Sequence, residues 1–190
     1  MMWHIAIFAS GSGSNAENIA KHFLPNPKVK ITLIASDNPN AFVLERAMRL
    51  GIPTFRFTTD ELRNGIVLSK LIAQKVDFIV LAGFLKMVPV DMVRHFNNRI
   101  VNIHPALLPK YGGKGMYGDR VHKAVIAAGE TVSGITIHYV NEHYDEGDII
   151  FQARCPVLPN DTPETLAQRV HELEWEHYPK VIETLLEQLG

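Results

Sequence analysis

The feature that most constrains this chain is an alternation. Short, β-branched apolar runs recur at Trp3–Ala9 (WHIAIFA), Val29–Ser36 (VKITLIAS), Pro53–Phe57, Asp77–Ala82 (DFIVLA) and Ile100–Ile103. Between them lie stretches of helical spacing: Asn15–Leu24, Ala41–Leu50, Asp60–Gln74 and Pro89–Phe96. Strands joined by helix-length connections close as right-handed βαβ units, so this order predicts a parallel sheet covered by helices on both faces. Ile5–Ala9 and Ile79–Ala82 are almost unbroken apolar runs, which suits strands buried on both sides.

The pattern then changes. Asn102–Gly118 carries Pro105, Pro109 and four glycines and reads as a loop, followed by a short helix at Val121–Ala128. Ser133–Val140 and Asp148–Val157 are strands joined by the polar turn Asn141–Gly147, an antiparallel hairpin added to the sheet. A long helix over Pro163–Leu189 follows, with Asp161 or Thr162 as N-cap and Pro163 in its first turn. Pro179 is expected to kink it. The expected fold is therefore α/β: a doubly wound, mostly parallel sheet with an antiparallel hairpin in its second half and a long C-terminal helix. Residues 1–190 are expected to form a single domain, large enough to bury its own core.

Composition removes several functions. Lys and Arg number 19 against 20 Asp and Glu, for a net charge of −1, without the basic surplus of a general nucleic-acid or acidic-membrane binder. A lone Cys155 excludes an intramolecular disulfide framework and a multi-cysteine zinc site. The opening Met-Met-Trp-His has no basic leader region, and no apolar run approaches the ~18–20 residues of a membrane span. The nine histidines include no H-E-x-x-H motif. The expectation is a soluble, cytoplasmic protein with no metal, nucleic-acid or membrane partner.

Four places can carry chemistry. Ser10-Gly11-Ser12-Gly13-Ser14-Asn15-Ala16 lies between the first strand and the first helix, where glycines and free helix N–H groups receive an anion. The same residues satisfy G-x-G-x-x-A, with Asp37 as a candidate ribose ligand, so a pyrophosphate and a terminal phosphate monoester both fit. Asn102 and His104 stand two apart at the carboxyl end of the fifth strand and so share a face; an amide beside an imidazole can stabilise an oxyanion and move a proton. Thr136 and His138 share a face of the next strand. Asp145 in the turn after it can raise the pKa of an imidazole beside it. In the last helix, Glu174 and His177 fall inside the apolar stripe of Leu166, Val170, Leu173 and Val181, where a carboxylate needs a partner or a ligand.

These motifs, in this order and over essentially the whole chain, resemble the folate-dependent formyltransferases, and within them the phosphoribosylglycinamide formyltransferases. The resemblance rests on Gly-Ser-Gly-Ser-Asn at Gly11–Asn15, Leu-Ala-Gly-Phe at Leu81–Phe84, Asn-Ile-His-Pro-Ala-Leu-Leu-Pro at Asn102–Pro109, and Asp145. It implies a Rossmann-like formyltransferase fold and formyl transfer from 10-formyltetrahydrofolate, the donor cosubstrate, to the amine of glycinamide ribonucleotide in purine synthesis, without metal. It further implies that Gly13, Ser14, Asn15 and Glu174 bind the ribonucleotide. Leu85, Lys86, Met87, Val88 and Asn102 would bind the folate, with Leu81, Val93 and Ile100 lining an apolar pocket. Asn102, His104 and Asp145 would be the catalytic trio. His171 stands where some members have a lysine. Arg63 is assigned as the folate-contacting arginine, although the local spacing differs.

Two other enzymes share parts of this pattern. Formyltetrahydrofolate deformylase puts water in place of the amine around a similar trio, and usually carries an added N-terminal domain, whereas here the first strand begins almost at Met1. A dinucleotide-dependent dehydrogenase would rest on G-x-G-x-x-A and Asp37 alone. The glycine-rich Lys110–Gly118 (KYGGKGMYG) is expected to be a substrate-responsive lid, using Tyr111, Met116, Tyr117 and Lys110 or Lys114.

Overall fold

The structure, a computed structural model, describes residues 1–190. Its strands are β1 (Trp3–Phe8), β2 (Val29–Ser36), β3 (Thr54–Arg56), β4 (Phe78–Leu81), β5 (Ile100–His104), β6 (Val132–Tyr139) and β7 (Ile149–Pro156). They form one seven-stranded sheet in the order β3-β2-β1-β4-β5-β6-β7. The first five run parallel, and β6 and β7 pair antiparallel as the hairpin pattern required.

The helices are α1 (Ser14–Phe23), α2 (Phe42–Arg49), α3 (Thr59–Arg63), α4 (Ile66–Ala73), α5 (Val90–His95), α6 (Asp119–Ala127) and α7 (Pro163–Leu189). Alternation along the strands divides the core in two. Ile5, Ile7 and Ala9 of the first strand segment face one cluster with α1, α2, α6 and α7; Ala6 and Phe8 face the other with α3, α4 and α5. No helix is long and apolar enough to cross a membrane.

One helical expectation changes. Asp60–Gln74 is two helices, because Asn64-Gly65 breaks the run: Gly65 takes a left-handed φ of 79° and starts α4 afresh. Thr58 and Glu61 close a capping box on the shorter first piece. The C-terminal helix starts from a Thr162 cap and passes through Pro179 without interruption. Pro179 has no N–H for the carbonyl of Trp175, and Asn18 supplies one instead, its Nδ2 donating to Trp175 O at 2.9 Å. Tyr178 beside it is fully buried and donates its hydroxyl to the carbonyls of Leu81 (2.8 Å) and Val101 (3.3 Å), which fixes α7 across the ends of β4 and β5.

The strand order reverses beside β1, so the loops leaving the carboxyl ends of β1 and β4 border a crevice. They are tied together: the N–H of Ser10 donates to Gly83 O at 3.0 Å.

Candidate active site

The crevice opens into a cavity of about 530 Å³, within the size range of small-molecule sites. One wall is the glycine loop. Gly13 has φ of 76°, and a Cβ there would collide with Val43, so no other residue fits without rearrangement. The first helical bond is Glu17 N to Gly13 O at 2.9 Å, which leaves the N–H groups of Ser14, Asn15 and Ala16 without helical partners at the positive end of α1. Arg46 braces the loop by donating to Ser12 O at 2.8 Å while pairing with Glu17. Asp37 has another task. It accepts from Ser10 Oγ at 2.6 Å, and that same oxygen accepts the Leu85 N–H at 3.0 Å. Asp37 therefore locks the loop rather than lining the cavity, which removes the ribose ligand of the dehydrogenase reading.

At the base of this wall, Glu174 is buried and its Oε2 accepts from Asn15 Nδ2 at 2.9 Å and from His171 Nδ1 at 3.0 Å. The carboxylate thus fixes the orientation of the Asn15 amide, and Asn15 Oδ1 is left enclosed without a partner. The bond to Glu174 raises the His171 pKa, and the ring stacks on Trp175. His122, from the first turn of α6, is buried with Nδ1 unpartnered; burial and then the charge of His171 lower its pKa, so it is held neutral.

The opposite wall comes from the β5–β6 pair. Their register sets Asn102 directly across from His138 and His104 across from Thr136. Thr136 is fully buried; its hydroxyl donates to Ala106 O at 2.7 Å and accepts the Leu108 N–H at 3.0 Å, pinning the loop that follows His104. His104 Nε2 lies 2.6 Å from Tyr111 O, which can only accept, so Nε2 carries a proton and Nδ1 looks toward Asp145 Oδ2 at 3.6 Å. His138 donates Nδ1–H to Tyr139 O at 2.8 Å and sets Nε2 between Asn102 Nδ2 (3.2 Å) and Asp145 Oδ1 (3.6 Å).

Asp145 serves both rings. Burial alone would raise its pKa, but His138, the charge of His104 and the Gly113 N–H at 3.0 Å outweigh that and hold the carboxyl below its usual range. For His104, burial dominates and lowers the pKa, against the opposing pull of Asp145 and the Tyr111 carbonyl. The result is a buried imidazole that titrates below the ordinary histidine range, beside a carboxylate that stays ionised.

The cavity brings together Gly13, Ser14, Asn15, Glu174, Leu85, Lys86, Met87, Val88, Asn102, His104 and Asp145. Other expected residues stand elsewhere. Arg63 is exposed at the end of α3 and does not line the cavity. Leu81 does line it, whereas Val93 and Ile100 belong to the core beneath. The loop after β5 is also only partly free. Lys110 and Tyr111 both engage Glu130, at 3.1 and 2.8 Å, so that end is fixed and only Gly113–Gly118 faces the cavity. His138, which the sequence sets with Thr136 and Asp145 among the places that can carry chemistry, lines it too, and so does His122, which the sequence did not single out. For His138 the signal was its shared face with Thr136; for His122 it was the position one turn after Asp119.

Residues 3–182 match the family described as formyl transferase. The chain is 43% identical over 97% of its length to the chloroplastic phosphoribosylglycinamide formyltransferase of Vigna unguiculata, and spans 61% of that longer protein. It is 37% identical to the phosphoribosylglycinamide formyltransferase of Bacillus subtilis, covering 97% of this chain and 95% of that one. The crystal structure of the phosphoribosylglycinamide formyltransferase from Anaplasma phagocytophilum superposes with a TM-score of 0.89 at 35% identity, covering 99% of this chain and 89% of that chain.

Proposed function

The chain belongs to the formyl transferase family, and from that premise we propose that residues 1–190 act as one domain transferring a formyl group from 10-formyltetrahydrofolate to the amine of glycinamide ribonucleotide. The observation that carries this reading is the joining of two walls in one cavity: a helix N-terminus suited to a phosphate, and an Asn–His–Asp group suited to an acyl-transfer oxyanion.

In this reading the N–H groups of Ser14 and Asn15, with the backbone freedom of Gly13, receive the 5′-phosphate. One Nδ2 hydrogen of Asn15 is used by Glu174, and in this reading the residue meets the phosphate through its main-chain N–H. Glu174 keeps Oε1 for the ribose hydroxyls, and charged His171 supplies the nearby positive charge. Leu85–Val88 offers backbone groups and the half-exposed Leu85 and Met87 side chains to the flat pterin ring of the folate. Lys86, Lys114 and Arg120 are the lysine and arginine side chains that line the cavity, and in this reading they take the part first given to Arg63.

Catalysis follows from the second wall. As the amine adds to the formyl carbon, Asn102 donates to the developing oxyanion, and His104, its pKa lowered by burial, takes up a proton as the addition proceeds and stabilises the oxyanion through charge. Asp145 sustains the imidazolium and assists proton movement from the attacking nitrogen to the departing one. Binding both reactants in one cavity supplies proximity. The Gly113–Gly118 segment closes over them to exclude water.

The test is tetrahydrofolate release with and without glycinamide ribonucleotide. Release that depends on the ribonucleotide is expected; release indifferent to it would assign the chain to deformylation.

A further inference from the structure

Buried polar side chains in folded proteins are almost always hydrogen-bonded, and His122 breaks that rule. It is 2% exposed, it lines the cavity, and its Nδ1 is enclosed without a partner. We propose that His122 is a specificity residue for the formyl acceptor: its Nε2–H donates to the carbonyl oxygen of the glycinamide amide. The proposal rests on the formyl-transfer reading, since it names a contact to that reading's acceptor.

The place of the ring suits this contact. The charged groups that act on His122 are His171 and Glu174 of the glycine-loop wall, Asp119 of its own helix and His104 of the β5–β6 wall. It therefore stands where the two walls meet. In the acceptor the amide joins the ribose to the amine. A molecule with its phosphate on α1 and its amine beside Asn102 lays that amide across the same junction.

The direction of the bond follows from the ring's protonation. Burial, and then the charge of His171, lower the His122 pKa, so near neutral pH one ring nitrogen carries a proton and the other is bare. A buried N–H without an acceptor is rarer in folded proteins than a buried acceptor without a donor. The enclosed Nδ1 is thus the bare nitrogen, and Nε2 carries the proton toward the cavity.

A donor at that point needs an oxygen. The phosphate is met by α1 and His171, and the ribose hydroxyls by Glu174 Oε1. The amide carbonyl is the acceptor oxygen still without a partner. With Nε2 already protonated, the ring is not set to take the proton of the attacking amine. His122 binds, and the proton stays with Asp145.

Calorimetry on the full-length protein tests this with three analogues of ribose 5-phosphate that have a cyclopentane in place of the sugar ring. At the anomeric position they carry an acetamido, an acetoxy or an isobutyl group. The three groups match in shape: the first has a carbonyl and an N–H, the second a carbonyl alone, the third neither. The wild type should bind the isobutyl ligand about tenfold more weakly than the acetamido ligand, the loss of one hydrogen bond, with the acetoxy ligand close to the acetamido. His122→Phe should weaken the acetamido and acetoxy ligands about tenfold and leave the isobutyl ligand unchanged. His122→Gln, which keeps an N–H at the end of its side chain, should recover most of the loss.

Equal wild-type affinity for all three ligands, or a His122→Phe loss shared by the isobutyl ligand, would overturn the proposal. A loss confined to the acetamido ligand would mean that the ring meets the amide N–H, and would overturn it too. If His122→Phe does not fold, His122→Met takes its place, and the three wild-type affinities decide by themselves. Wild-type protein that binds none of the three, and releases tetrahydrofolate equally without the ribonucleotide, would defeat the reading of the acceptor. Binding of all three without discrimination would defeat the amide contact alone.

Discussion

The two walls of the cavity are built differently. The glycine-loop wall is mainly main chain. Its donors are N–H groups whose directions follow from a left-handed Gly13 and the start of α1, and its side chains are already paired, Asn15 and His171 to Glu174, Ser10 to Asp37. The β5–β6 wall is side chain, and its charged groups stop short of full contact: both imidazoles lie 3.6 Å from Asp145. A wall of fixed dipoles carries no titrating donor of its own, so its pH dependence is confined to the His171–Glu174 pair at its base. A wall of loosely coupled titratable groups responds to protons and small displacements, as groups that must change charge during a reaction require.

The largest effect that separates them is catalytic. His104→Ala should lower kcat by about 10²–10³-fold and leave both KM values near wild type. Steady-state kinetics check this, and a rise confined to KM would break the division between the walls.

Gly13→Ala tests the other wall. A side chain at positive φ, pressed on Val43, should cost on the order of 1–3 kcal/mol of stability and raise the ribonucleotide KM with little change in folate KM. Chemical denaturation and kinetics read the two parts. Wild-type stability in this variant would mean that the loop is not held as described.

Asn15→Ala sharpens the comparison within the same wall. It removes the donor that orients Glu174 rather than a direct phosphate contact, a loss of about 1.5–3 kcal/mol for a charged hydrogen bond. The ribonucleotide KM should rise about tenfold, and ribose 5-phosphate should lose more affinity than inorganic phosphate. Equal losses for the two ligands would return the side chain to the phosphate.

Of the titratable groups, His171 is the one that brings pH dependence to the glycine-loop wall. Its pKa is raised in the folded protein by Glu174, so its pairing is fully present below the ordinary histidine value and is lost as pH rises through the higher folded value. Ribonucleotide affinity, measured by calorimetry, should fall over that interval, and His171→Lys should abolish the fall. An unchanged decline in His171→Lys would assign it elsewhere.

The smallest effect lies outside the cavity. Asn18→Ala leaves the Trp175 carbonyl to water and should cost about 0.5–1.5 kcal/mol of stability without changing kinetics.

Much of this architecture was legible in the sequence because local rules carry it. The strand alternation, the Gly11–Asn15 loop, the Thr162 cap and the placement of Asn102 and His104 on one face all follow from neighbours a few residues apart. What escaped depends on contacts across the chain. The pairing of Asn102 with His138 needs the β5–β6 register, and the use of Asp37 by Ser10 needs the closing of the β1 and β4 loops. Val93 and Ile100 were apolar and near the site in sequence, but alternation turned Ile100 into the core beneath it. Arg63 was assigned by likeness alone, and α3 ends with it in solvent.

The central claim is that both walls act on one reaction, with the ribonucleotide's amine as the formyl acceptor. Mass spectrometry of a reaction with isotopically labelled formyl donor tests it directly. The account predicts label in the ribonucleotide product, in amounts equal to the tetrahydrofolate released, with no label in free formate. Label appearing as formate at the same rate whether or not the ribonucleotide is present would contradict it.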